Sequence, residues 1–515
     1  MNKCLVIIFC FLLSLQLSGC LEDTKKIDIK EKISIAISQD IIGFYPWVKS
    51  YEIYTVLVNR NIYNSLVEFD EIFKIKPCLA ESWNNPDNLT WRFNLRENVT
   101  FHNGYRFTSQ DVVYTIDLIK ENESDSNQLK ELLKYIDKVN VINNYTIELK
   151  TFKSCPILLN LLTDIFIVSK DYQDETQTSQ PIGTGAYKFI NYSKNEYINL
   201  ERYDNYWKKP IPEIKYAKIR IISDYEICTE EFIDGKVDIA QIIQKYLETN
   251  KSVDYSIKTI DNPTIAYISF DFREKNNIIG NNEKNPLADV RVRKAIYKAM
   301  DIDEILKNYS GIFSNCSQFV IPLVFGYNPE IKRLSYNLEN ASRLMKDAGY
   351  EDGFDVVFDY SYDVFSKVII DNIKRQLSDI KINLTINAFP YEEYISKLTT
   401  YNCSIYANCW TTGTGDGGEI YDYLIGTKDD ENDIGLFNVG LYSNPEVDRL
   451  GENASVCMNT KNRQKLLQDC FKIAMEDVAW IPLFKWKISY GVNNHFDWTP
   501  RADQQILIEY IKINN

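Results

Sequence analysis

The chain has 515 residues, 45% of them hydrophobic and 25% charged, which is a globular composition with more length than one core usually serves. Two or more lobes are therefore expected. A formal charge of −14 excludes nucleic acid as a partner, because phosphates would be repelled rather than paired. No low-complexity tract or solenoid repeat is present. The 35 Tyr reflect a compositional bias shared with Ile, Lys and Asn rather than a binding platform.

In chain order, residues 1–20 read MNKCLVIIFCFLLSLQLSGC: Lys3, an apolar run from Leu5 to Leu15, then small residues. The run is too short for a comfortable membrane span and predicts a signal peptide. Leu17-Ser18-Gly19-Cys20 resembles the bacterial lipobox, which implies that Cys20 becomes a lipidated N-terminus. Each buried acyl CH₂ would add roughly 0.8 kcal/mol of membrane affinity. The polar stretch Leu21–Glu31 then reads as a flexible tether. Ile33, Ile35 and Ile37 alternate with small residues and predict a first strand. The loop that follows, QDIIGFYPW, gathers Phe44, Tyr45 and Trp47, which suit a cleft lining and core packing equally well.

Leu79–Lys120 is the most specific stretch. Trp91, Phe93 and Leu95, preceded by Leu89, alternate with polar residues as in a half-buried strand. His102-Asn103-Gly104 is turn chemistry. Thr108, three residues before Asp111, opens a helical period through Val112, Ile116 and Ile119, a variant capping box. Further on come PIGTGAYKF (Pro181–Phe189), YINLERYDNYW (Tyr197–Trp207), EFIDGKVDIA (Glu231–Ala240) and an apolar strand from Ile265 to Phe272. Next are PLADVRVRKAIYKAMDID (Pro286–Asp303), AGYEDGF (Ala348–Phe354) and the strand WIPLF (Trp480–Phe484). The Gly-x-Gly at 183–185 alone is weak evidence for phosphate binding, since a strand rather than a helix follows it.

The string LAESW, then a strand, then FHNG and FTSQDVVYT, resembles the signature of the family 5 solute-binding proteins, the oligopeptide-, dipeptide- and nickel-binding receptors of ABC importers. Similar matches run in order from Ile33 to Tyr490. The resemblance implies an α/β, two-lobed periplasmic-binding-protein-like fold of class II, with mixed sheets and an extra subdomain in the first lobe. It implies lobe I from 32–62, 181–266 and 487–515, a subdomain at 63–180, and lobe II at 267–486. Chain crossings are expected near Tyr267–Asp271 and Phe484–Lys487. The expected function is capture of a peptide between the lobes and delivery to a membrane permease, from a lipid-anchored, monomeric protein on the outer face of the bacterial cell membrane.

The resemblance places the ligand beside Phe44, Tyr45 and Trp47 and beside the strand CSIYANCW (Cys403–Trp410) with its Tyr406, Asn408 and Trp410. In peptide-binding relatives an Asp three residues after this Trp captures the α-ammonium; here that position is Gly413, and the first acid is Asp416. A peptide paired by β-augmentation is one reading. A metal chelate or other compact solute stacked on Trp410, Tyr45 and Trp47 is the other. With only two His, neither a bare metal held by imidazoles nor a His-based triad is well supplied, and no GxSxG, HExxH, CxxC or Walker motif occurs. No catalytic residue, metal site or cofactor is assigned, and a peptide-processing enzyme is the remote alternative. Asp429–Asp433 reads as a solvated turn rather than a calcium loop. Eight cysteines follow Cys20, and an extracytoplasmic setting permits disulfides among them.

Overall fold

The computed structural model describes residues 31–44, 52–121, 129, 133–171, 180–242, 254–275, 284–309 and 311–514. The signal peptide, Cys20, Tyr45 and Trp47 lie outside them. Local patterns build the elements as their periods dictate. In the strand Thr90–Leu95, Trp91, Phe93 and Leu95 are buried while Arg92 and Asn94 face solvent. Leu89 falls in the preceding turn, 40% exposed. At the start of the helix Ser109–Glu121, Asp111 Oδ2 accepts from the Thr108 backbone N–H (2.7 Å) and hydroxyl (3.1 Å), closing the cap from the acid side.

Three cores organise the chain. One gathers Ile33, Ile35, Val56, Ile62, Tyr187, Ile198, Ile219, Ile488 and Val492 into the first lobe. A second, with Phe93, Phe101, Val112, Ile116, Ile147 and Leu161, fills the subdomain around a four-stranded sheet. A third, with Ile265, Tyr267, Ile296, Phe358, Ile373, Phe471 and Trp480, fills the second lobe. The segment 165–168 passes between the first two cores and serves both: Ile165 and Ile167 enter the subdomain, Phe166 and Val168 the first lobe. A period of two in extended chain has this effect whenever both sides are apolar.

An 11-stranded mixed sheet runs through both lobes. In the second lobe Phe354–Ser361 pairs parallel with Ile382–Phe389; in the first, Lys32–Ile37 pairs parallel with Tyr216–Ile221. The link is a pair of long antiparallel strands, Tyr255–Phe270 and Trp480–Asn493. Ile260 and Ile488 pack on the first-lobe core, Ile265 and Phe484 within the second. The crossing thus runs through 261–264, upstream of Tyr267–Asp271, and through 485–487. The strand register shifts between Asp261 and Ile265, and Asp261 forms an ion pair with Lys485 there. The eight cysteines from Cys78 to Cys470 are free thiols.

Candidate functional site

Three cavities lie where the lobes meet. The first, about 850 Å³, sits at the crossing. Its first-lobe wall comes from the end of the strand Lys32–Ile37 (Ser38–Asp40), the start of the helix Ile53–Ile62 (Tyr54, Thr55), and Gln241. Its second-lobe wall is Asn308, Tyr309 and Ile312, and Asn262 and Trp486–Ser489 of the crossing strands close it. This is ligand-pocket size. The wall is ordered from within: Ser38 Oγ lies 2.6 Å from Tyr54 Oη, and Tyr225 Oη donates to Ser38 Oγ at 3.3 Å. Burial, aided by Tyr225, pushes the Tyr54 phenol up to about 12. Asp40 is already occupied, accepting from Tyr192 Oη and from the N–H groups of Asn195 and Ile41.

The other two cavities, about 880 Å³ and 350 Å³, lie between the subdomain and the second lobe. The Arg463 side chain touches both. Between the two bodies, Asn160 Nδ2 donates to Thr414 O at 2.8 Å, and Lys134 pairs with Asp433 at 2.7 Å. The segment 411–425 brings three acids to this region, Asp416, Glu419 and Asp422. Asp416 is 4% exposed and bound bidentately by Arg463 at 2.5 and 2.8 Å. Glu419 accepts from Trp410 Nε1 (2.9 Å) and the Thr414 hydroxyl (2.6 Å); burial raises its carboxyl to about 7. Asp422 lines the 350 Å³ cavity from a π-helical turn, Tyr421–Ile425.

The residues chosen from sequence are distributed differently. Phe44, 3% exposed, is a first-lobe core residue with its ring edge-on to Phe189 (4.8 Å) and Tyr192 (5.8 Å). Tyr406, 3% exposed, belongs to the second-lobe core. Its strand, Ile405–Thr411, runs between Tyr255–Phe270 and Phe354–Ser361, so both its edges are paired along the part that carries Tyr406. Asn408 is half-buried and accepts from the Cys409 N–H. Trp410 is half-buried against Tyr423 and Phe437, and lines none of the three cavities. Asp416 borders the 880 Å³ cavity, but Arg463 leaves it no free charge for an ammonium. Sequence reasoning missed Tyr54, Tyr225, Gln241, Asp422 and Tyr423, because no local period distinguishes a cavity-facing residue from a core one.

The turn and Gly-x-Gly motifs form a joint rather than a ligand site. His102 Nε2 donates to Gly185 O at 2.9 Å, the Gly183 N–H reaches Nδ1 at 3.4 Å, and the His102 N–H donates to Gly183 O. A Cβ on Gly183 would lie 2.1 Å from Ile62 O, so only glycine lets the loop that holds His102 lie against the end of the helix Ile53–Ile62. Burial holds the His102 imidazole down at about 4, neutral near physiological pH.

Two lobes joined by paired strands, with cavities walled by both, define a solute-binding receptor. Residues 74–432 match the bacterial extracellular solute-binding proteins, family 5 Middle. The chain belongs to this family of ABC-transporter receptors. It is 28% identical over 466 residues to heme-binding protein A of Haemophilus influenzae, covering 82% of each chain. With the dipeptide-binding protein of Escherichia coli it shares 25% over 412 residues, 71% of this chain and 73% of that one. The structure of HbpA2 from Haemophilus parasuis superposes with a TM-score of 0.83 at 20% identity, covering 94% of this chain and all of the other.

Proposed function

We propose that this protein captures a peptide between its lobes and hands it to the membrane permease of an ABC importer, without bond chemistry, cofactor or metal, and as a monomer. The observation that carries this reading is the 850 Å³ cavity walled by both lobes. A solute that touches both halves at once binds their closed arrangement better than an open one, and only such a difference can drive closure. The three cores follow the three bodies expected above, except that Ile265 and Ala266 pack in the second lobe and Phe166 and Val168 in the first. Cys20 would tether the mature chain to the outer face of the membrane; no described helix is long and apolar enough to cross it.

The name of the E. coli relative favours a short peptide, and that of the H. influenzae relative favours a porphyrin. Among the described residues, the walls of the crossing cavity carry no His, Cys or Met, so a haem iron there would have to be held by a tyrosine, Tyr54, Tyr225 or Tyr309. That chemistry weighs toward the peptide.

Native mass spectrometry of the protein incubated with a tripeptide pool tests the reading. Complexes that release intact peptides support it. Cleaved peptides would overturn the receptor in favour of an enzyme, and retention of haem or a nickel chelate but no peptide would overturn the choice of solute.

A further inference from the structure

We infer that the 880 Å³ cavity between the subdomain and the second lobe is a second solute site, separate from the crossing cavity, and that it takes an aromatic carboxylic acid. The two cavities share no lining residue, so this site stands whether or not the solute at the crossing is a peptide. On the subdomain side, the turn between the paired strands Val67–Phe69 and Ile75–Pro77 supplies Phe73 and Lys74. The strands Ala80–Asp87 and Thr90–Leu95 supply Trp83 and Trp91. Facing them, the second lobe presents Phe325 and Met458.

Charge and unused hydrogen-bonding capacity say what fits. In a chain of formal charge −14, the charged lining of this cavity is two cations, Lys74 and Arg463, against one acid, Asp416. Arg463 and Asp416 neutralise each other. Lys74 is exposed and makes no ion pair among the described residues, so the rim carries one unmatched positive charge. Trp91 is 5% exposed, and its buried indole N–H has no acceptor among the described residues. Buried donors in native proteins are nearly always paired, so an occupant that brings an acceptor oxygen completes this one. A planar group with two oxygens, one accepting from Trp91 and the other facing Lys74, meets both demands; that group is a carboxylate. The rings of Phe73, Trp83 and Phe325 favour an aromatic body behind it, because aromatic pairs gain from edge and offset contacts beyond the area they bury.

The test is isothermal titration of the full mature chain with 2-naphthoic acid, its uncharged amide 2-naphthamide, and decanoic acid. Wild type should bind one naphthoate per chain with a dissociation constant of about 100 μM or tighter. The acid should bind about 2- to 5-fold more tightly than the amide, the worth of one ion pair at an exposed rim. Lys74→Gln should bring the acid down to the amide's affinity and leave the amide unchanged. Trp91→Phe, which keeps a ring and deletes the donor, should weaken acid and amide alike by about 2- to 10-fold. Leu159→Trp, which fills the cavity from the subdomain side, should abolish binding of both. Melting temperatures of all variants separate loss of fold from loss of binding. Absence of binding by wild type overturns the site, and so does binding that survives Leu159→Trp, since the acid would then sit elsewhere. Acid and amide bound equally by wild type overturns the carboxylate, and decanoate bound as tightly as naphthoate overturns the aromatic body. None of these results bears on the peptide reading.

Discussion

The His102 ring is held at both nitrogens, as donor to Gly185 O and as acceptor from the Gly183 N–H, and so must be neutral to fit. Its folded value, about 4, lies below the 6.5 of an unconstrained imidazole, so between these values the unfolded chain binds the proton more readily. The stability it contributes is present above pH 6.5 and lost as pH falls toward 4, by roughly 3 kcal/mol at most. Urea unfolding at pH 7 and pH 4.5 should show this loss in wild type and much less of it in His102→Gln; equal losses would mean that another group is responsible. The turn was legible in the sequence because Asn103-Gly104 announces one. Its partner was not, since nothing local says that the glycines at 183 and 185 must fit against Ile62.

Among elements, the segment 411–425 departs furthest from its sequence reading. Asp416 looked like a substitute ammonium acceptor because its partner, Arg463, is on a distant helix, Thr460–Glu476, and chain order gives no hint of the pair. Both side chains are 6% exposed. Breaking such a pair leaves an uncompensated buried charge, so Asp416→Ala should lower unfolding free energy by about 3–5 kcal/mol, and Asp416→Ala with Arg463→Met should recover much of that. Loss of solute binding with unchanged stability would instead restore Asp416 as a ligand residue. Strands were readable where their period was uninterrupted, as at Trp91, Phe93 and Leu95. The first half of Tyr255–Phe270 was hidden, because Asn262 and Pro263 look like a stop signal. A π-helical turn has no signature in sequence at all.

At the scale of the molecule, the order of motifs was enough to forecast two lobes and a subdomain, since each motif is local and their sequence along the chain reproduces the family's. Where a solute rests was not forecast, because cavities are made by residues that meet only after folding. The subdomain is fastened to the first lobe through His102, Gly183 and the 165–168 segment, so these two should travel as one body relative to the second lobe.

The crossing sets what that travel costs the backbone. Between Asp261–Lys487 and Ile265–Lys485, three residues stand opposite Trp486 alone, and one of them, Pro263, has no N–H to lose. The slack is built in, so the ribbon can flex there while every rung on either side stays intact. Deuterium uptake should therefore be equally slow at Ile265–Phe270 and Trp480–Phe484 in the empty and loaded protein, with changes confined to 261–264 and 485–487. Broad protection of the whole ribbon on loading would mean that the halves are stitched together anew each time. Otherwise the receptor cycles with its spine unbroken, and the permease need only tilt one half to free the cargo.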